Sequence, residues 1–391
     1  MPTLYFDNNA TTCIAPEVAE TMTAASRDVY GNPSSIHIPG QLARQKLEKS
    51  RRTIAEFLHV SPAEFVFTSG GTESNNLALI GLVRNLPRNR KHVITISIEH
   101  PAVLEACRQL EREGVEVTFV CVDNAGLVDV DRIRQNLRAH TVLVSVMHAN
   151  NEVGTIQRIE EIAAVVRETR AAGQEIYLHS DGVQAFGKID VDVQQLGVDL
   201  YSVSAHKIFG PKGVGGLFVR KGTPLHGIQY GGRHERERRP GTENVPGAMA
   251  FSRAVELCTP NDASFLAELR TFFEAEMLAA VPDIKINGTI DSRLPNTSNL
   301  LFPGLSAEAL AIALDMKGIA VSTGSACSSG STEPSHVLLA MGRTRDEARS
   351  SVRFSFGRYN TCDDVSRLVG AVVACVRQLR NAKREARLVG V

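Results

Sequence analysis

The chain has no tryptophan, no Cys-x-x-Cys pair, no net charge and no long apolar run. The missing tryptophan has no functional reading, but the other absences exclude a good deal. No apolar stretch approaches the roughly 20 residues that a bilayer-spanning helix requires, so no membrane partner is expected. Lys plus Arg and Asp plus Glu both number 43. That balance gives no electrostatic reason to expect nucleic acid, an anionic membrane or a polyanionic substrate. The opening MPTLYFDNNATT has neither the basic-then-apolar pattern of a secretory signal nor the Arg-rich pattern of an organelle leader. Seven cysteines (Cys13, Cys107, Cys121, Cys258, Cys327, Cys362, Cys375) are scattered through the sequence. An odd, unclustered set argues for free thiols in a reducing compartment, not for a disulfide framework or a zinc site. The expected location is the cytoplasm, with no bound metal.

What is present is an ordinary globular composition over 391 residues, enough for two domains. Helical spacing covers 16–29 and 40–58, with the breaker-rich YGNPSSIHIPG between them. From Glu64 strands alternate with helices. The strands fall at 64–69, 92–97, 115–122, 141–148, 175–181 and just before Lys207; the helices fall at 73–86, 102–114, 130–139 and 158–173. Such alternation specifies a mostly parallel sheet covered on both faces. Ligands in these sheets bind beyond the C-terminal strand ends. After residue 258 a polar stretch from Thr259 to Ser264 leads into a helix over 264–281, then strands TSNLLF and VRFSFG and a half-buried basic helix over 372–388. This part reads as a smaller α+β domain.

The organising stretch is DLYSVSAHKIFGPKGVGGLFVR, residues 199–220, a strand, Lys207, a Gly/Pro turn and a second strand. A lysine where a strand leaves the core is partly desolvated, which lowers its pKa and frees the neutral amine to form a Schiff base with an aldehyde. Ser204 and His206 add hydrogen-bonding groups beside it, and the following glycines let backbone approach something bulky. A surface lysine in a glycine-rich hairpin is the alternative. TSGGTESNN, residues 68–76, is either an anion site at a helix N-terminus or a helix start capped by Thr72. His100 either packs over a planar ring or caps the helix that follows Pro101, and Asn150 and Asn151 stand at another strand end. Asp181 closes the strand of HSDGVQAFG with Gln184 three positions on, either a carboxylate and an amide suited to a pyridinium nitrogen and a phenolic oxygen or a solvated loop pair. Arg353 sits in mid-strand, where its guanidinium needs either a substrate carboxylate or an internal ion pair. Cys327 lies among small polar residues in STGSACSSGSTEPSHVL, which offer nothing apolar to bury a thiol against and favour a nucleophile.

Taken together, YFDNNATT, YGNPSSIHIPG, TSGGTESNN, EHPAVLEAC, MHANNEVGT, HSDGVQAFGK, SAHKIFGPKGVGG, RRPGTENV, STGSACSSGSTEPSHVLLAMG and SVRFSFGRYNT resemble, in order, the class V aminotransferase family of pyridoxal phosphate enzymes. The resemblance is to cysteine desulfurases of the NifS/IscS type and spans essentially the whole chain. It implies fold type I: a large cofactor-binding domain over 15–258 with a mostly parallel seven-stranded sheet, and a small domain from 1–14 and 259–391 that carries the cysteine loop. It also implies a homodimer, pyridoxal 5'-phosphate as cofactor, L-cysteine as substrate and a sulfur-acceptor protein such as an iron-sulfur scaffold. By this resemblance Lys207 carries the aldimine and moves the proton. Asp181 holds the pyridine nitrogen, Gln184 and Asn151 the phenolic oxygen side, and His100 stacks on the ring and serves acid/base steps. Gly71, Thr72, Ser204 and His206 bind phosphate, with Thr242 from the second subunit. Arg353 and Asn151 hold the substrate carboxylate, and Cys327 takes the sulfur as a persulfide, releasing L-alanine. Arg233 departs from the pattern by standing where relatives have a third glycine, which bears on the local backbone. An aminotransferase or lyase on the same scaffold needs no cysteine, and a scaffold that has lost its chemistry would need no lysine.

Overall fold

Seven runs rich in β-branched and aromatic residues form the central sheet of the computed structural model, which describes residues 3–86, 91–323 and 333–389. With β1 the short N-terminal strand Leu4–Tyr5, they are β2 (Phe65–Thr68), β3 (His92–Ile96), β4 (Glu116–Val120), β5 (Thr141–Ser145), β6 (Tyr177–Asp181), β7 (Leu200–Ser204) and β8 (Gly215–Val219). Their order is β2-β8-β7-β6-β5-β3-β4, parallel throughout except for β8, which runs antiparallel to β7 and β2. The mostly parallel sheet expected from the alternation is therefore present.

Period-two side-chain alternation sends successive residues to opposite faces, and both faces are apolar. Phe65, Phe67, Ile94 and Ile96 join one core with helices α1 (Pro16–Asp28) and α2 (Ile38–Phe57). Val66, Val93, Leu143 and Leu217 join another with α3 (Gly71–Val83) and α4 (Pro101–Arg112).

A third core gathers Phe6 with residues of the C-terminal third, among them Phe273, Phe354 and Phe356. There β10 (Thr297–Leu301) pairs antiparallel with β9 (Lys285–Ile286) and β12 (Ser351–Ser355), while β1 pairs with β11 (Ile319–Ala320). Leu294, Val337, Leu338 and Met341 pack instead into the core shared by α1 and α2, so the C-terminal third contributes to two cores.

Two sequence expectations need correction here. The stretch Thr259–Ser264 is helix from Pro260 onward, because Thr259 and Asp262 form a capping box around Pro260 at the first helical position. The terminal helix begins at Cys362, ten residues before the expected start. Arg233 needs no glycine geometry: its φ is −84°, its side chain is exposed, and the left-handed backbone falls on Glu235, Arg236 and Glu237 instead.

Candidate active site

The C-terminal ends of the large sheet's strands and the middle of β12 bring most of the nominated residues to one place, while Ser204 stands behind the cleft lining. Lys207, His100, Gly71, Thr72, Asn151, Asp181, Gln184, His206 and Arg353 all line a single cleft of about 390 Å³. A larger hollow of about 700 Å³ around Asp123, Arg134 and Arg158 carries none of them. Thr242 lies outside the cleft and is exposed. Cys327 lies outside the described residues.

Lys207 ends a 3₁₀ turn, Ala205–Lys207, that follows β7 directly. Its Nζ donates to the carbonyl oxygens of Asn9 and Ala10, both at 2.7 Å. Asn9 is in turn fixed by side-chain bonds to Thr297 Oγ1 at 2.8 Å and the Asn151 carbonyl at 3.1 Å. The amine is thus held by backbone from the far N-terminal end of the chain.

The cap of α3 is Gly70, not Thr72, which sits inside the first turn. Gly70 has φ +149°, open to glycine and strained for other residues. A Cβ on Gly215 of β8 would meet the Gly70 Cα at 2.6 Å, so bare backbone is required where strand and loop touch. With no side chain capping them, the first amides of α3 are left to face the cleft. Ser204 Oγ is buried beside this loop without a hydrogen-bond partner. Glu73, also in the first turn, is neutralised as a competitor for this positive end by Arg239 at 2.9 Å and the Ser69 amide at 2.6 Å.

Asp181 accepts from Asn75 Nδ2 at 2.6 Å and from the Val183 amide at 3.0 Å, one bond per oxygen. His100 caps α4, its Nδ1 accepting from the Ala102 amide at 3.1 Å. Burial holds its pKa below the ordinary histidine value. A neutral imidazole accepting at Nδ1 carries its proton on Nε2. His100 therefore caps a helix and also lines the cleft. His206 bonds Thr11 Oγ1 through Nδ1 at 3.1 Å, and burial lowers its pKa to about 4.

Of the two asparagines at this strand end, Asn151 and not Asn150 lines the cleft. Asn150 Oδ1 accepts from the Glu152 and Val153 amides and its Nδ2 donates to Ile98 O, so its side chain is spent on the turn, while Asn151 lines the cleft. Arg353 is buried and has an internal partner, Asp7 Oδ1 at 2.6 Å, along with the Asn151 carbonyl at 3.0 Å. Its Nε has no partner and its side chain reaches the cleft.

Both flanks of the segment 324–332 are tied to the same rim. Ser322 exchanges backbone hydrogen bonds with Arg353. Ser335 donates to Glu152 Oε2 at 2.5 Å, and His336 Nε2 bonds the Glu99 carbonyl at 2.9 Å. Burial lifts the Glu152 pKa to about 7 and the Glu99 pKa well above the ordinary range.

Sequence reasoning assigned no role to Asn9, Ala10, Asn75 or Lys188. Asn9 and Ala10 lie within YFDNNATT, but their contact with Lys207 spans about 200 residues and no local pattern reports it. A lysine among the apolar residues of AFGKID was the one visible signal for Lys188.

The family model for aminotransferase class-V matches residues 4–368. The chain belongs to the class-V aminotransferase family, on its NifS/IscS-type cysteine desulfurase branch. It is 44% identical over 380 residues to cysteine desulfurase IscS of Dictyoglomus turgidum, covering 96% of this chain and 95% of that one. Among solved structures, a NifS-like protein superposes with a TM-score of 0.90 at 37% identity, covering 96% of this chain and all of the other. SspA in complex with cysteine superposes with a TM-score of 0.82 at 35% identity, covering 92% and 100%.

Proposed function

We propose that this class-V family member is a pyridoxal phosphate-dependent cysteine desulfurase that converts L-cysteine to L-alanine and leaves the sulfur as a persulfide on Cys327. The observation that carries the reading is one cleft holding a strand-end lysine amine, a buried carboxylate and an uncapped helix N-terminus. The residues fit the cofactor. The partnerless Ser204 hydroxyl and the amides of Gly71 and Thr72 suit a phosphate, with His206 beside them. Asp181 suits a protonated ring nitrogen, and Gln184 and Asn151 suit a phenolic oxygen. When bound, the group withdraws electrons from the substrate carbons.

The chain's own residues do the rest. Lys207 would hold the cofactor through its amine and move the proton at the substrate Cα. His100 would pack against the ring and exchange protons through Nε2. Arg353 and Asn151 hold the substrate carboxylate. The Cys327 thiolate attacks the substrate sulfur; the carbon–sulfur bond breaks with its electron pair staying on carbon, which takes up a proton. The substrate carbon is reduced and the enzyme thiol oxidised to a persulfide, so the electrons balance. The tethering of both flanks of 324–332 to the rim supports that route. Transfer to an acceptor protein, such as an iron-sulfur scaffold, would complete the cycle.

A division into a large domain over 15–258 and a small one from 1–14 and 259–391 accords with the separate core around Phe6 and Phe354. A homodimer in which Thr242 reaches the other subunit's phosphate is part of the same reading. Exposed Tyr30, Ile36, Ile38 and Tyr230 supply apolar surface for it. No helix among the described residues is long and apolar enough to cross a membrane, and a cytoplasmic location is proposed.

The test is to incubate the protein with L-cysteine and a reducing thiol and assay sulfide and alanine. Equal amounts of both are expected, and neither after Lys207→Ala. Alanine without sulfide or persulfide, or full turnover by Cys327→Ser, would move the reading to another reaction on this scaffold.

A further inference from the structure

We propose that Lys188 is a positioning residue that fixes which end of the Gln184 amide faces the cleft and sets a second amine beside Lys207. The inference rests on the pyridoxal phosphate reading. Lys188 is buried, and its Nζ donates to Gln184 Oε1 at 2.5 Å and Asn9 Oδ1 at 3.0 Å. A lysine amine, charged or neutral, has at least two hydrogens to give, enough for both oxygens. Gln184 Nε2 donates to the Asn9 carbonyl at 2.9 Å, an oxygen that can only accept. The two constraints agree, so the Gln184 amide has one orientation, with its N–H group turned to the side where Asn9 also meets Lys207. Asn9 is set the same way: its Oδ1 takes Lys188 and its Nδ2 goes to Thr297 and Asn151.

The electrostatics around Lys188 are one-sided. The charges that act on it are Lys207 and Arg353, both cationic, and it bears in turn on His206. Across the small cavity that Lys188 and Lys207 both line stand Asp262 and Arg358, themselves paired at 3.0 Å. Burial and these like charges push the Lys188 pKa well below that of an ordinary lysine. A structural lysine buried for packing would be expected to bring a carboxylate. This one meets two amide oxygens, both on residues that touch the cleft.

An N–H donor aimed at a phenolic oxygen favours the deprotonated form of the lysine–cofactor linkage. Removing Lys188 should therefore make that linkage hold its proton to higher pH.

The experiment is a pH titration of the visible absorption band of the full-length protein loaded with pyridoxal phosphate, for the parent, Lys188→Met and Lys188→Gln. Glutamine keeps two N–H donors without an amine, and serves if methionine prevents folding. We expect the spectroscopic midpoint to rise by about one pH unit in Lys188→Met, a tenfold tighter proton, and by less in Lys188→Gln. A purely packing role would change denaturation midpoints and leave the band's midpoint where it was. An unchanged midpoint in the folded, loaded variants overturns the proposal while the cofactor reading stands. A parent protein that never develops the band overturns the cofactor reading and this inference with it.

Discussion

Arg353 donates to the Asp7 carboxylate at 2.6 Å, so the guanidinium that reaches the cleft is already committed on one side to the N-terminal segment. The planar fork of arginine serves two directions at once, with Nη2 to Asp7, Nη1 to the Asn151 carbonyl and Nε still unmatched. Lysine, a point charge, cannot do this. Arg353→Lys should raise the KM for L-cysteine by about 10–100-fold, the loss of a charge-assisted hydrogen bond of about 1.5–3 kcal/mol, with a smaller change in kcat. Steady-state alanine formation measures it, and an unchanged KM would remove Arg353 from substrate binding.

Ser204 offers a cleaner test of the phosphate cradle. Its hydroxyl is buried without a partner, so Ser204→Ala should leave the thermal stability of the cofactor-free protein unchanged or slightly higher. The same substitution should weaken pyridoxal phosphate binding by about tenfold or more. Equilibrium titration of the cofactor-free protein separates the two effects, and unaltered affinity would place the phosphate elsewhere.

Arg51 and Glu235 form a buried, doubly hydrogen-bonded ion pair at 2.6 and 2.7 Å, and Glu235 also accepts from the Phe67 amide at 2.8 Å. This contact holds three successive non-glycine residues, Glu235 to Glu237, in left-handed backbone. Arg51→Ala should destabilise the protein by about 3–5 kcal/mol, because a buried carboxylate loses its partner. Arg51→Met combined with Glu235→Leu should cost less than the single change. Urea unfolding of both variants decides it; equal losses would locate the energy outside the pair.

Acid should unfold the protein through its interior histidines. Burial lowers the pKa of His92, His148 and His206 to about 4 and of His179 to about 3. A depressed folded pKa gives stability that is complete above the unfolded value near 6.5 and is lost as pH falls through the folded one, up to about 1.4 kcal/mol per pH unit for each group. Glu152 works the other way: its raised pKa gives stability that is present below the unfolded value near 4.5 and lost as pH rises through about 7. Glu99, its pKa also raised by burial, acts in the same sense, but the histidines outnumber the two carboxylates, so the melting temperature should fall from pH 6.5 to 4. His148→Gln should flatten that slope, and a flat parent profile over this range would contradict the assignment.

Much of the cleft was legible because strand ends are legible. Periodicity located β6 and β7, and Asp181, the last residue of β6, and Lys207, just past β7, fell in the cleft for the topological reason that parallel strands share one C-terminal edge. What holds those residues was not legible. Asn75 meets Asp181 across 106 residues, and Asp7 meets Arg353 across 346; neither separation leaves a periodic trace. Local chemistry was misread twice. Thr259-Pro260-Asn261-Asp262 looked like a loop because the residues that cap a helix are those that also make turns. Thr72 looked like a cap, but Gly70 occupies that position and leaves the amides bare.

The carbonyls that grip Lys207 belong to Asn9 and Ala10, and Asn9 keeps its place through Thr297 and Ser355. A nascent chain would therefore have its reactive amine and its first dozen residues long before it could secure their contact. The clasp closes a loop of 198 residues, and its support from Ser355 has to wait for translation to pass that residue. Such closure costs only a few kcal/mol of chain entropy but makes assembly a late event. Shortening the protein from its C-terminal side, even where the large sheet survives, should release the N-terminal strand and with it the lysine's orientation.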